Sequence, residues 1–205
     1  MSDALVYVID DDPDTRNTVS WLLGTVGLKS KLCASAQQFL DGYQNGVPSC
    51  ILLDVRMPGM SGLDLQARLL AEQNEVPVIV VTGHADVPMA VRALKLGAFD
   101  FIEKPFNHQV ILDRVQKAIQ KDRSRCEKLA ESSRIKERID QLTRREREVM
   151  ERVIAGESNK AIAVTLGLSP KTVEVHRAHV MEKMKAKSLA ELVRLGVSAM
   201  AVAMN

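Results

Sequence analysis

Aromatic side chains are scarce in this chain: four Phe, two Tyr and one Trp make up 3% of it. That leaves no material for a stacked aromatic platform of the kind that grips single-stranded nucleic acid. Cysteine is also sparse. Cys33, Cys50 and Cys126 are odd in number and form neither a CxxC pair nor a Cys/His group with metal-ligand spacing, which argues against a disulfide framework or a zinc site. Small buried thiols in a reducing, cytoplasmic compartment are expected instead. No apolar run reaches the ~18 residues of a membrane-spanning helix, and no basic segment followed by a long apolar one opens the chain. A membrane partner is therefore not expected. Gly and Pro are missing from "DRSRCEKLAESSRIKERID", residues 122–140, so this charged stretch reads as a solvated helical connector rather than a flexible tether.

What is present is unevenly spread. The net charge of +2 hides a division, because residues 1–120 carry 10 basic and 14 acidic side chains whereas residues 141–205 carry 11 and 7. The basic part is the candidate for a polyanionic partner. With 205 residues, 46% of them hydrophobic, the chain can build two ordinary cores, and the expected domains are 1–121 and 141–205 joined by 122–140.

The first domain alternates apolar runs, "LVYVID", "KSKLC", "CILLD", "VPVIVVT" and "AFDFIEK", with helix-like segments such as 13–26, where Val19, Leu22, Leu23 and Val26 recur at helical spacing. Apolar runs joined by helices make a doubly wound α/β domain with a parallel sheet of about five strands. The second domain shows short helical patterns punctuated by "AGESN", "LGLSP" and "KAKS" and no strand signal, and is expected to be all-helical.

In a doubly wound sheet the ligand sits beyond the carboxyl ends of the strands, so the residues ending each run matter most. These are Asp10 and Asp11, Asp54, Thr82 and Lys104. Each alone is an ordinary cap or surface group; together they converge on one edge. Clustered acids repel unless a cation or protons neutralise them, and a hard, partly hydrated cation held by carboxylates is Mg²⁺. Asp54, at the end of the middle run, is the candidate nucleophile for an acyl phosphate, with the Thr82 hydroxyl and the Lys104 ammonium facing the phosphoryl oxygens. Asp12, directly before Pro13, suits a helix N-cap.

At these residues the sequence resembles the receiver domain of two-component response regulators, over residues 3–122, through "IDDD", "LLDVRMPGMSG", "VVTGHADVPMAVRALKLGAFDF" and "EKPF". The resemblance implies that a sensor histidine kinase phosphorylates Asp54, and that Asp11, Asp54 and the carbonyl of Arg56 bind Mg²⁺ with Asp10 assisting through water. It casts Thr82 and Phe101 as a switch pair, Phe101 lacking the hydroxyl of the tyrosine found in many receivers. It also implies a cis Lys104–Pro105 bond. A rival reading takes "VIDDD" and "VIVVT" for a haloacid-dehalogenase-type phosphohydrolase with Asp10 as nucleophile and Asp12 as general acid, but "FDFIEKPF" supplies no convincing second pair of acids.

In the second domain, "SNKAIAVTLGLSPKTVEVHRAHVMEKM" reads as helix, Gly-containing turn, and a helix opened by Ser169 and Pro170. Val173, His176 or Arg177, Val180 and Met184 fall on the inward face, which makes His176 a core histidine; Lys171, Glu174, Val175 and Ala178 face a major groove. Lys160, Lys171 and Thr172 suit phosphates; Glu174 suits cytosine N4, Val175 or Ala178 a thymine methyl, and Arg177 either role. "TRREREVMER" is expected to be a solvated helix face.

Residues 140–203 resemble the LuxR-type, or NarL/FixJ-type, DNA-binding domain through "LTRREREV", "NKAIA", "PKTVEVH" and "KM". The family binds paired half-sites as a dimer, with its last helix at the contact; here Leu189, Val193 and Val197 form an apolar stripe that serves either that contact or the core. Both halves together are most similar to the FixJ-type subfamily, mainly transcription activators. The implied partners are a sensor histidine kinase, double-stranded DNA and RNA polymerase. Phosphorylation is expected to promote a homodimer through Val91, Lys95, Asp100 and Phe101. A phosphate-sink interaction module is the other alternative.

Overall fold

The computed structural model describes residues 4–83 and 86–203, with backbone alone for 198–203. His84 and Ala85, within one of the motif stretches above, lie outside the described residues, as does the side-chain part of the last helix from 198 on.

The chain divides into two compact units, residues 1–126 and 127–205. In the first, the elements run β1 (Leu5–Ile9), α1 (Pro13–Thr25), β2 (Lys29–Cys33), α2 (Ala36–Gly42), β3 (Ser49–Leu53), α3 (Gly62–Ala71), β4 (Val78–Thr82), α4 (Val87–Lys95), β5 (Asp100–Glu103) and α5 (His108–Asp140). The strands form one parallel sheet in the order β2-β1-β3-β4-β5. Alternation along each strand divides the side chains between two layers. Val6, Val8, Cys50, Leu52, Ile79 and Val81 face α1 and α5, while Tyr7, Ile9, Ile51, Leu53, Val78 and Val80 face the opposite core. Both faces being covered, the central strands carry unbroken apolar runs.

The strand order reverses at β1, which has β2 on one side and β3 on the other. That is where a crevice opens beyond the strand ends. The expected strand-terminal residues lie slightly further on: only Thr82 ends a strand, and Asp10, Asp54 and Lys104 each follow one.

The expected connector, residues 122–140, is helical. It is the second part of α5, which begins at His108 and runs unbroken to Asp140. It is not solvated on all sides, because Asp122 is buried in the first unit and Ile135 in the second.

The second unit continues with α6 (Arg144–Ile154), α7 (Asn159–Leu166), α8 (Pro170–Lys183) and α9 (Leu189–Ala203). Thr143, Ser158 and Ser169 cap α6, α7 and α8 through their hydroxyls, and Gly167 ends α7 at φ 65°, a left-handed geometry that glycine adopts without strain. The core draws Val149, Met150 and Val153 from α6, Ile162 and Ala163 from α7, Val173, Val180 and Met184 around α8, and Leu192 and Leu195 from α9. Leu189 and Val197 are exposed and Val193 is half-buried, so the apolar stripe of α9 is not what fills the core. Among the described residues no helix is long and apolar enough to cross a membrane.

Candidate functional site

Backbone hydrogen bonds from neighbouring strands fix the loops that hold the acidic pocket. The Asp54 amide donates to the Ile9 carbonyl (2.8 Å), Asp10 to Cys33 (3.2 Å) and Lys104 to Thr82 (2.9 Å), so each residue leaves its strand in register with the next. Carboxylate oxygens of Asp10, Asp11 and Asp54 come within 4.8 Å of one another. Asp10 and Asp54 are only 4% and 9% exposed, whereas Asp11 is open to solvent. Lys104 donates to Asp10 Oδ2 (2.6 Å) and to Asp54 Oδ2 (3.2 Å), bridging two carboxylates from different strands. Thr82 is buried at 1% exposure.

Burial dominates the electrostatics and pushes the Asp10 carboxyl above its usual range, although the Lys104 ammonium and the Asp12 amide pull the other way. Burial also opposes the charge on Lys104, but Asp10 and Asp54 outweigh it and raise its pKa. Two of the three carboxylates thus share one ammonium, and all the side-chain donors offered to a metal are hard oxygens. That donor set fits Mg²⁺. Arg56 is exposed, and its amide lies 3.4 Å from Asp54 Oδ1.

Asp12 is occupied elsewhere. Its oxygens accept from the amides of Asp14 (3.2 Å) and Thr15 (3.1 Å) and from the Thr15 hydroxyl (2.5 Å), as the N-cap of α1. This removes it from the general-acid position that the phosphohydrolase reading requires. The Lys104–Pro105 bond is cis.

Two contributors to the pocket were not foreseen. Arg16, on the second turn of α1, donates to the Asp10 carbonyl (2.6 Å) and holds the end of β1; no local pattern announces a contact six residues back. Gly62 sits against the Asp54 carbonyl, where an added Cβ would collide with rigid backbone. We expect Gly62→Ala to destabilise the first unit by ~1–3 kcal/mol, the usual cost of overpacking, and to displace Asp54. Urea unfolding followed through Trp21 fluorescence measures the first effect; an unchanged midpoint would show that α3 can move aside freely.

On the expected pairing face, Val91 and Lys95 of α4 are exposed and Phe101 is half-buried, packed like Met89 and Leu96 against the core that contains Val78, Val80 and Ala93. Asp100 already pairs with Arg114 at 2.9 Å. A partner copy would therefore have to share or displace that ion pair.

The helix-turn-helix, α7 and α8, presents the expected outer face. Lys171, Glu174, Val175 and Ala178 are exposed, as is Lys160 on α7, and Thr172 is half-buried beside Ser169. Val173, Val180 and Met184 point inward. His176 is half-buried with its Nδ1 out of solvent. Arg177 is also half-buried and donates to Asn159 Oδ1 at 2.6 Å.

"TRREREVMER" is only partly a solvated face. Glu146 is 3% exposed, closing a capping box with Thr143 and accepting from Lys183 at 2.6 Å, and Val149 and Met150 are buried. Thr143-x-x-Glu146 is the signal that could have revealed it.

Two family models match this chain: the response regulator receiver domain over residues 6–116, and the luxR family of bacterial regulatory proteins over residues 140–196. The chain is 45% identical over 194 residues to the transcriptional regulatory protein FixJ of Bradyrhizobium diazoefficiens, covering 95% of each. It is 48% identical over 197 residues to FixJ of Azorhizobium caulinodans, covering 95% of this chain and 92% of that one. Among solved structures, the response regulator StyR matches with a TM-score of 0.87 at 38% identity, covering 94% and 98% of the two chains. Full-length FixJ from B. japonicum matches at 0.57 with 44% identity, covering 98% and 99%. None of these supports the phosphohydrolase reading. With an acidic, lysine-bridged pocket in one unit and an exposed recognition helix in the other, the chain belongs to the two-component response regulators of the FixJ type, phosphorylation-dependent regulators of transcription.

Proposed function

We propose that Asp54 is the phosphoacceptor and that its modification by a sensor histidine kinase switches the protein to a DNA-binding homodimer. The observation that carries this is the Asp54 carboxylate at the switch point, beside Asp10 and Asp11 and within reach of Lys104. An Asp54 oxygen attacks the phosphorus of a phosphohistidine, the N–P bond breaks, and the freed imidazole takes up a proton. Lys104 is positioned to balance charge on the transferred group, and Thr82 supplies a hydroxyl donor. Mg²⁺, held by Asp11, Asp54 and the Arg56 carbonyl with Asp10 assisting, would offset the repulsion between carboxylates and phosphoryl oxygens.

Phosphorylation then shifts the population toward a form that pairs through Val91, Lys95, Asp100 and Phe101, with Thr82 and Phe101 rearranging together. Leu189 and Val197, exposed on α9, suit a second contact between the DNA-bound domains. Two half-site contacts joined in one dimer bind far more tightly than either alone. RNA polymerase is the downstream partner of this reading, and the cytoplasm its compartment.

Intact-mass and peptide mapping after incubation with Mg²⁺ and acetyl phosphate tests the acceptor. A hydroxylamine-labile adduct on Asp54 is expected; an adduct on Asp10 would overturn the assignment. The DNA half has its own test. Lys171→Ala is expected to weaken binding to all duplexes alike and to lower the slope of log K against log salt by ~1 per protomer, the signature of a lost phosphate contact. A loss confined to one sequence would instead make Lys171 a base reader.

A further inference from the structure

We propose that Arg177 is a phosphate anchor rather than a base reader, and that Asn159 is the residue that positions it. This rests on the DNA-binding reading and deepens it, by assigning the one cation whose role the sequence leaves open.

The partner of Arg177 distinguishes it from most cations of this unit. Lys183 of α8 is neutralised by Glu146 of α6, Arg152 by Glu157 beyond the end of α6, and Arg144 and Arg145 by Glu148 within α6, while Arg138 donates to the backbone carbonyl of Met184. Arg177 is held by the amide oxygen of Asn159 at 2.6 Å, and no carboxylate lies within ion-pair distance of it among the described residues. A neutral acceptor orients the guanidinium and leaves its charge whole. A half-buried charge without a counter-ion is unfavourable, so the site is improved by an anion from outside.

Position identifies that anion. Asn159 opens α7 and is followed by Lys160, exposed and with no ion-pair partner among the described residues; Arg177 lies on α8, one residue from the exposed Ala178. In a helix-turn-helix the first helix crosses the phosphate backbone while the second enters the groove, so a cation bridging the two lies near the groove rim rather than at its floor. A planar guanidinium whose fork is already fixed at one corner loses little further freedom on taking a phosphate. Tied to α7, it lacks the freedom to follow a base edge.

The test is a salt titration of full-length protein, treated with Mg²⁺ and acetyl phosphate, on a random-sequence duplex of about four helical turns. No operator need be known, because a phosphate anchor contributes to every duplex. Arg177→Gln is expected to weaken binding and lower the salt slope by ~1 per protomer. Asn159→Ala is expected to weaken binding with the slope largely kept, because the charge remains but is no longer held. The double variant should bind no worse than Arg177→Gln alone, as groups acting as one unit do.

Asn159→Asp discriminates further. It preserves the tether and would suit a purely structural clamp, yet it neutralises the guanidinium, so duplex affinity is expected to fall while the melting temperature holds or rises. The same substitution in the Arg177→Gln background should cost less, whereas plain repulsion of DNA by a new carboxylate would cost the same in both. An Arg177→Gln protein that binds random duplex like the wild type overturns the proposal while the DNA-binding reading stands. A wild type without any salt-dependent duplex affinity overturns both.

Discussion

Asp54→Asn protein given Mg²⁺ and acetyl phosphate is expected to remain in its unactivated state, with no mass adduct, no shift to dimer in sedimentation, and no gain in duplex affinity. The wild type under the same treatment should gain on the order of 10²-fold in affinity for a paired site, the scale on which linking two weak contacts acts. The effect is all-or-none because the amide cannot attack phosphorus and no other acid occupies its place. Asp10 is bound by Lys104 and the Asp12 amide, Asp12 is spent as a cap, and Asp11 is the exposed member of the cluster. The fold should survive: asparagine matches aspartate in shape, and removing one of two carboxylates that face each other across Lys104 relieves repulsion on Asp10. Full activation of the variant by phosphodonor would mean that the switch lies elsewhere.

Glu146→Ala should open the start of α6 and loosen its packing on α8. Burial disfavours the Glu146 carboxylate, but Lys183 and the Thr143 amide and hydroxyl outweigh it and bring its pKa down to about 2. A folded-state pKa below the unfolded value of 4.5 means that the ionised group stabilises the folded form above that value, and that this stability is lost as pH falls from about 4.5 toward about 2. At roughly 1.4 kcal/mol per unit, the contribution at neutral pH is on the order of 3 kcal/mol. Amide exchange of α6 and α8 in the full-length protein, compared with wild type at the same pH so that intrinsic rates cancel, should show that loss at pH 7 and a shrinking gap through the acid window. An equal gap at both ends would show that Glu146 acts through packing alone. Glu146→Gln, which can keep the cap but not the charge, should fall between.

These two sites differ in how openly the sequence displays them. Asp54 follows "CILL", an apolar run too short for a helix and framed by turns, so both the strand and the residue leaving it are local facts. The same holds for Asp10, Thr82 and Lys104, and for the inward face of α8, where a single helical period separates Val173, Val180 and Met184 from Lys171 and Glu174. The capping-box spacing of Thr143 and Glu146 is local, but the burial of Glu146 is not, because a run of alternating charges has the same pattern whether or not one of its acids is later covered by another helix. The α9 stripe was ambiguous for a related reason. Leu189, Val193 and Val197 line up at helical spacing, but Leu192 and Leu195 do so nearly as well, and only contact with α6 decides which pair turns inward.

The sequence by itself determined the class of each unit, the strand ends that carry the acids, and the recognition helix with its caps, because periodicity, strand length and capping are set by near neighbours along the chain. Tertiary structure alone decided the rest. Lys104 reaches across the sheet to Asp10 and Asp54, Gly62 admits the Asp54 carbonyl, Asp122 turns its carboxylate to the amide of Ser49 at 2.8 Å, and Asn159 captures Arg177. Apart from Gly62 and Asp54, these join residues far apart in sequence, and which partners meet is settled by how sheets and helices pack, information that no local pattern contains.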